Sequence, residues 1–369
     1  MNKNYYSLGL MSGTSMDGVD ASIIRSDGKA QYKAILDNYF QYPKDIFQDL
    51  TKLRDKIKSS KDLKRFEKQI KSIEKQITLF HAKVATEILR KSKVNINFIG
   101  FHGQTIFHSA KEKISKQLGD GDFLSKHTKK TVIYNFRQND LKNGGQGAPL
   151  TPIFHKLLKN KFKLKLPLAI LNIGGVANVT FIDIHNNMCS YDIGPGNCLI
   201  DQWIRINSKN NYDKDGKIAS SGKINKSILT QALKNFENKV QDIHGPKSYD
   251  VKDFDLSFVR GLSLEDGAAT LTEYTSEILC NLTRTCTGED EDIIISGGGR
   301  KNRFLVKNIQ EKINSPVKLI DDLGVDGDFI ESQAFAYLAT RSYLKLPISF
   351  PETTGVREPC TGGIIIKNF

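Results

Sequence analysis

Short apolar runs that stop at glycine set the pattern of this chain. Residues 5–11 are largely apolar and end at Ser12-Gly13-Thr14-Ser15, which predicts a buried strand running into a tight loop. Residues 19–25 and 31–39 predict a second and a third strand. Strand, glycine turn, strand is a hairpin, unlike the strand-loop-helix of a P-loop or Rossmann unit. Residues 168–173 and 177–182 repeat the arrangement through Gly174-Gly175. Further short strands are expected at 98–101, 131–136, 293–296 and 317–320. Helical patterns cover 43 to about 89 as two polar helices, the stretch after Thr151-Pro152, and 198–206. They recur at about 226–237, 263–285 and 302–312, and at 328–344 as a long amphipathic helix. Residues 208–222 read as a loop, and the glycines of 143–149 place a domain boundary shortly before them. A glycine-rich hairpin in each half, mixed with helices, predicts a two-domain α/β protein with a cleft.

Composition narrows the class of partner. Lys and Arg number 54 and Asp and Glu 41, a formal net charge of +13. The cations are mostly dispersed lysines. Their densest stretch, 52–75, also carries Asp55, Asp62, Glu67 and Glu74, the mixture of a solvated helix face. No stacking-aromatic or zinc-finger pattern accompanies them, so nucleic acid is not the expected partner. The five cysteines, 189, 198, 280, 286 and 360, are odd in number and form no C-x-x-C, which suggests neither a disulfide framework nor a zinc site. No run approaches the ~20 apolar residues of a membrane span. The N-terminus does not read as a signal peptide, so a cytoplasmic protein is expected.

Three glycine loops follow apolar strands: 13–18, Gly174-Gly175 with Asn178, and Gly297, Gly298 and Gly299. Glycine lets backbone N–H groups approach phosphate oxygens, and Thr14 and Ser15 add hydroxyl donors. One such loop is an ordinary turn, but three at strand ends point to a nucleotide. Asp17 and Asp192 are carboxylates embedded in this setting. A kinase needs carboxylates for Mg²⁺ and for orienting or deprotonating the nucleophile, whereas a structural Asp caps a turn. His102 and Gln104 can contact a polar substrate, although a lone His is more often a satisfied structural residue. Arg137, near Asp140 and the 143–149 loop, suits a carboxylate or phosphate or, structurally, an ion pair. Glu331 opens a helical run and either bonds a sugar hydroxyl or favours the helix N-terminus.

The string Gly9-Leu10-Met11-Ser12-Gly13-Thr14-Ser15-Met16-Asp17-Gly18-Val19-Asp20 closely resembles the start of anhydro-N-acetylmuramic acid kinases. Further matches follow in order at 101–105, 143–150, 172–178, 191–197, 296–302 and 331–336. The resemblance implies two RNase H-like domains of the actin-like ATPase class around a nucleotide cleft. The first is expected at 1–135 plus about 345–369 and the second at 136–344. It implies an ATP- and Mg²⁺-dependent reaction on a small sugar in peptidoglycan recycling. Water opens the 1,6-anhydro ring, O6 is phosphorylated, and N-acetylmuramate 6-phosphate results. It also implies a homodimer. By the same match Asp192 is the catalytic base. Gly13, Thr14, Ser15, Met16, Asp17, Gly18, Val19, Asp20, Gly174, Gly175, Asn178, Gly297, Gly298 and Gly299 surround ATP. Asp17 and Asp192 lie near the metal, and His102, Arg137 and Glu331 contact the sugar.

This chain departs from the family pattern in three places. Asn135-Phe136-Arg137 stands where relatives commonly carry Asp-Phe-Arg, and Ile193 where Thr is usual. Residues 245–252 match only partly. The competing expectations are a kinase of the same superfamily with another sugar acceptor, and an actin- or Hsp70-like ATP-driven binding protein.

Overall fold

The computed structural model describes residues 3–240, 249–287 and 292–369. The chain forms two compact units, Met1–Lys163 with Asp328–Phe369 and Leu164–Gly327. In chain order the first unit opens with β1 (Tyr5–Ser12), β2 (Gly18–Ser26) and β3 (Tyr32–Gln41). Next come α1 (Lys44–Lys56), α2 (Ser60–Arg65), α3 (Glu67–Ser92), β4 (Phe98–Ser109) and β5 (Ile114–Leu118). α4 (Gly121–Thr128), β6 (Thr131–Tyr134), α5 (Arg137–Lys142) and α6 (Pro152–Phe162) complete this part. The second unit holds β7 (Leu168–Ile173), β8 (Val176–Ile182), β9 (Met188–Pro195), α7 (Cys198–Asn207), α8 (Lys217–Ser221) and α9 (Lys226–Val240). It continues with α10 (Leu264–Thr287), β10 (Asp292–Ser296), α11 (Arg303–Lys312) and β11 (Val317–Leu319). The chain then returns to the first unit with α12 (Ile330–Tyr343), α13 (Pro351–Thr354) and β12 (Ile364–Ile366).

The two sheets share one plan. In the first unit β3, β2 and β1 are antiparallel, and β4 and β6 continue the sheet parallel to β1, with β12 beyond β6 and β5 beside β4. In the second, β9, β8 and β7 are antiparallel, and β10 and β11 continue parallel to β7. Leaving aside β5, which pairs only with β4, and β12 at the edge, both run third, second, first, fourth and then the next strand of the chain. No sequence repeat announces this.

Burial explains how each sheet is covered. α1 and α3 turn Ile46, Leu50, Leu53, Ile73 and Ile77 onto Leu8, Leu10, Ile99 and Phe101 of the first sheet. α12 packs on the other strand face, and it does so closely. A Cβ on Gly9 would stand 1.8 Å from the Ser332 carbonyl oxygen, and one on Gly100 2.3 Å from that of Phe335. Glycine is required at both positions because no side chain fits between helix and sheet. In the second unit Ala169, Leu171, Ile173, Ile193 and Ile295 pack with Leu279, Leu305 and Ile309 of α10 and α11. Asn302 starts α11 by accepting the Leu305 N–H at 3.0 Å.

Several expectations change. Residues 136–163 and 328–344 belong to the first unit, whereas the sequence placed them in the second. Phe136, Leu150, Phe335 and Leu338 share one apolar cluster with Tyr5 and Phe98, so the glycine loop at 143–149 lies inside that unit. α12 is buried along nearly its whole length and has no polar face. The 208–222 loop contains α8, whose start is fixed by Asp213 accepting the Ile218 and Ala219 N–H groups at 2.8 and 2.9 Å. β4 runs on to Ser109. Among the described side chains Cys189, Cys198, Cys280 and Cys360 form no disulfide, and the Cys286 side chain lies outside those described. Among the described helices none is long and apolar enough to cross a membrane.

Candidate functional site

In the first unit the link between β1 and β2 is the turn 13–17. Met16 adopts a left-handed backbone, φ 58°, and buries its side chain in the core, which pins the turn from inside. Gln104 of β4 donates to the Gly13 carbonyl at 2.9 Å, and Tyr42 N–H to the Asp17 carbonyl at 2.8 Å. Thr14, Ser15 and Asp17 are left exposed. The Asp17 carboxylate accepts the Ser15 hydroxyl at 2.5 Å and also holds the Tyr39 hydroxyl. Beneath the turn the Ser12 hydroxyl meets Tyr42 Oη at 2.7 Å and His81 Nε2 at 3.2 Å. Burial lowers His81 to a pKa of about 4, so this ring is neutral.

His102, Arg137 and Glu331 are far apart in sequence and meet in this same unit. His102 is the extra residue of a β-bulge, since Leu10 pairs with Phe101 but Met11 with Gly103. Its ring packs against Phe335, centroids 4.4 Å apart and planes tilted by 44°. Arg137, at the start of α5, donates from Nε and Nη2 to His102 Nε2 at 3.2 and 3.1 Å, and from Nη1 to the Gly147 carbonyl at 2.8 Å. Arginine only donates, so Nε2 accepts and the proton sits on Nδ1, which donates to the Gly103 carbonyl at 2.8 Å. Burial first, and then the Arg137 charge, hold His102 well below its ordinary pKa. Burial raises the Glu331 carboxyl, and Arg137 pulls it part of the way back. The result is a desolvated cation with an acid and a neutral imidazole beside it.

Asp140 organises the loop behind Arg137. Its carboxylate accepts the Gly147 N–H and the Thr354 hydroxyl, both at 2.5 Å. The sequence reading placed Asp140 beside the fork; its role is to shape the 143–149 loop so that Gly147 presents its carbonyl.

The second unit contributes a different set. Gly174 and Gly175 form the two-residue turn between β7 and β8. The segment after β9 is stitched to that turn: Gly196, Asn197 and Cys198 N–H groups donate to the Gly175, Gly174 and Gly175 carbonyls at 3.0, 2.8 and 3.2 Å. Asp192 on β9 is 9 % exposed and its Oδ2 accepts the Tyr249 N–H at 2.8 Å. It pairs across the sheet with Asn178, and Asn178 with Asn172, which pairs with Ser296. Four polar residues thus form one rung on one sheet face. Arg300 braces the turn after Ser296. It forks onto Asp321 at 2.6 and 3.1 Å and donates to the Gly297 carbonyl at 3.1 Å.

A Cβ built on each glycine separates two kinds. On Gly13 it meets nothing nearer than 4.0 Å, on Gly298 nothing nearer than 4.0 Å, and on Gly174 a carbonyl at 3.3 Å. On Gly18, Gly297 and Gly299 it meets neighbours at 2.5, 2.5 and 2.3 Å. Gly13 and Gly298 turn bare backbone to open space, the cradle a phosphate or nucleotide needs, while Gly174 is tight against the Val176 carbonyl. The others are glycine because the fold leaves no room. Val19 and Met16 are likewise buried framework.

The sequence profile of anhydro-N-acetylmuramic acid kinases matches residues 5–368. The anhydro-N-acetylmuramic acid kinase of Pelagibacter ubique is 54 % identical over 379 residues, covering 100 % of both chains. That of Zymomonas mobilis is 38 % identical, covering 97 % of this chain and 98 % of its own. The chain belongs to the anhydro-N-acetylmuramic acid kinase family. Among solved structures, (R)-2-hydroxyglutaryl-CoA dehydratase component A of Acidaminococcus fermentans is similar at a TM-score of 0.47 and 12 % identity, covering 92 % of this chain and 100 % of that one.

Two departures from the family pattern acquire physical content. Asn135 has φ 57°, a left-handed backbone that Asn tolerates as well as Asp does. Ile193 is the bulged residue beside Asp192, and its side chain is 1 % exposed in the apolar cluster. A hydroxyl at 193 would face the core rather than the rung. Of the 245–252 segment, residues 245–248 lie outside the described residues.

Proposed function

We propose that this chain is an ATP-dependent kinase acting on 1,6-anhydro-N-acetylmuramic acid. Water opens the anhydro ring at C1, O6 takes the γ-phosphoryl group, and N-acetylmuramate 6-phosphate leaves for reuse in peptidoglycan recycling in the cytoplasm. The repeated strand order supports two RNase H-like domains of the actin-like ATPase class.

The observation that carries the reading is Asp192. In the anhydro sugar O6 is tied to C1, so no free hydroxyl is available to phosphorylate. A base must take a proton from water as O6 departs. Asp192 is a nearly buried carboxylate on β9 beside a bulge, its Oδ2 held by the Tyr249 N–H at 2.8 Å, and a carboxylate so placed is the group that can take that proton. Arg137, with His102 and Glu331, is the group proposed to hold the sugar, and its cation suits the lactyl carboxylate of a muramic acid. Gly13, Thr14, Ser15, Gly174, Gly175 and Gly298 are proposed to face the nucleotide, with Gly18, Gly297 and Gly299 shaping the loops that carry them.

Mg²⁺ takes oxygen ligands, keeps several waters and needs only one or two protein carboxylates. Asp17 of the first unit, exposed beside the Ser15 hydroxyl, and Asp192 of the second are each proposed as such a donor, direct or through water, and the ion would neutralise phosphate charge.

Asp192→Asn tests the reading. It is expected to fold and to bind ATP with unchanged affinity, while sugar-dependent ADP release disappears. Substantial remaining turnover would remove Asp192 from the role of base.

A further inference from the structure

Asn178 is grouped by its motif with the nucleotide loop, but its geometry points elsewhere. It is the direct cross-strand partner of Asp192. Such partners project from the same face with Cβ atoms about 4.5–5.5 Å apart. The next pair on that face, Thr180 and Ser190, brings its hydroxyls to 3.4 Å, consistent with a shared face. The Asn178 Oδ1 atom is buried and has no hydrogen-bond partner among the described residues. A buried amide oxygen without a donor is costly, and it marks a place where a donor belongs in the working complex. On its other side Asn172 is engaged, its Oδ1 accepting the Ser296 hydroxyl at 3.4 Å.

We propose that Asn178 is a second catalytic residue for the ring opening: its Oδ1 holds one hydrogen of the attacking water while Asp192 takes the other. The proposal rests on Asp192 being the base. A water held by one acceptor still rotates about that bond. Two acceptors on adjacent strands fix both O–H directions and aim a lone pair at C1. In the step, a water lone pair forms the bond to C1 and the C1–O6 pair passes to O6. O6 attacks the γ-phosphorus, and the pair of the broken P–O bond leaves on ADP. One water proton goes to Asp192. The other stays on the new C1 hydroxyl, hydrogen-bonded to Asn178 Oδ1. The sum is sugar, water and ATP to phosphosugar, ADP and one proton.

The full chain is assayed with ATP, Mg²⁺ and anhydro-N-acetylmuramic acid, comparing Asn178→Leu, which keeps the size and loses the acceptor, with Asn178→Asp, which keeps an acceptor. Rates are compared on the alkaline plateau, because a second carboxylate beside Asp192 moves the acid limb upward. Asn178→Leu is expected to lower kcat about tenfold, the size of one lost hydrogen bond, with KM for ATP within about twofold. Asn178→Asp is expected to keep most of kcat. A raised KM for ATP with kcat preserved, worst in Asn178→Asp through repulsion of phosphate, would return Asn178 to the nucleotide and overturn the proposal. Equal losses in both variants would make it structural and overturn it as well. Asp192→Asn is run in parallel. If that variant turns over, the base assignment fails separately, whatever Asn178 does.

Discussion

The two units share one strand order and build opposite chemistry on it. In the first, the β1–β2 turn is long, carries exposed hydroxyls and Asp17, and is pinned from below by Met16, Gln104 and Tyr42. The charge at its site is the half-buried Arg137 cation, backed by a neutral imidazole. In the second, the β7–β8 turn is two bare glycines, and the buried group is a carboxylate on the neighbouring strand. Each unit also places a bulge at its chemical residue, at His102 itself and immediately after Asp192. The shared sheet supplies a rigid edge, and the difference lies in which strand departs from regular pairing there.

The largest expected effect separates the two sets. Asp192→Asn should lower kcat by roughly 10³-fold, within the range for losing a general base, and leave ATP binding intact. Arg137→Ala should instead raise KM for the sugar by about 10- to 100-fold, as expected for lost charge-assisted hydrogen bonds, with KM for ATP nearly unchanged. If Arg137→Ala mainly abolishes kcat, the division of labour is wrong.

Acid should act on the two units with opposite sign. His81 and His155 of the first unit are lowered by burial to about 4, against about 6.5 unfolded. Their contribution is full above pH 6.5 and is lost as pH falls towards 4. Each then contributes about 2 kcal/mol less at pH 5 than at pH 7. His102 acts in the same direction and Glu331, whose carboxyl is raised, in the other. In the second unit burial raises Asp201 to about 6, with Arg205 opposing. Its penalty is full above pH 6 and falls away towards pH 3.8, a gain of about 1.4 kcal/mol between pH 7 and 5. Hydrogen exchange at the two pH values should show the first unit loosening and the second holding or tightening. Equal loosening of both would break the comparison.

Two smaller effects sharpen it. Asp321→Asn weakens the brace on Gly297 and leaves a nearly buried Arg300. It should cost about 2 kcal/mol, read in denaturant melts, and raise KM for ATP more than KM for the sugar. Asn135→Asp should change stability by less than about 0.5 kcal/mol and activity hardly at all, because the position is set by its left-handed backbone. A marked gain in activity would show that the missing carboxylate matters.

The hairpins, the glycine turns and most helices were legible because periodicity and glycine report local structure. The chemical residues were legible only through resemblance, and their grouping was not. Arg137 and Glu331 were placed in the second domain because the glycines of 143–149 look like a linker. The packing of Phe136 and Leu150 on Phe98 and Phe335, which puts both residues in the first unit, is long-range and leaves no periodic trace. α12 looked amphipathic because Ser332, Gln333, Thr340 and Ser342 are polar. All four are buried, and Gln333 bonds Asp37, Ser332 bonds Ser22 and Thr340 the Ala336 carbonyl. β9 escaped notice because glycine and proline end it, and its bulge depends on pairing with β8. Gln104 and Asp140 carry the loops through single contacts that no spacing signals.

The central claim is that one water-activating carboxylate couples ring opening to phosphoryl transfer. Incubation with ATP, Mg²⁺ and anhydro-N-acetylmuramic acid in ¹⁸O-water, followed by mass spectrometry of the product, tests it most directly. The account predicts one ¹⁸O at C1 and an unlabelled phosphate on O6, with one ADP released per sugar. Unconsumed sugar, or label in the phosphate rather than at C1, would contradict it.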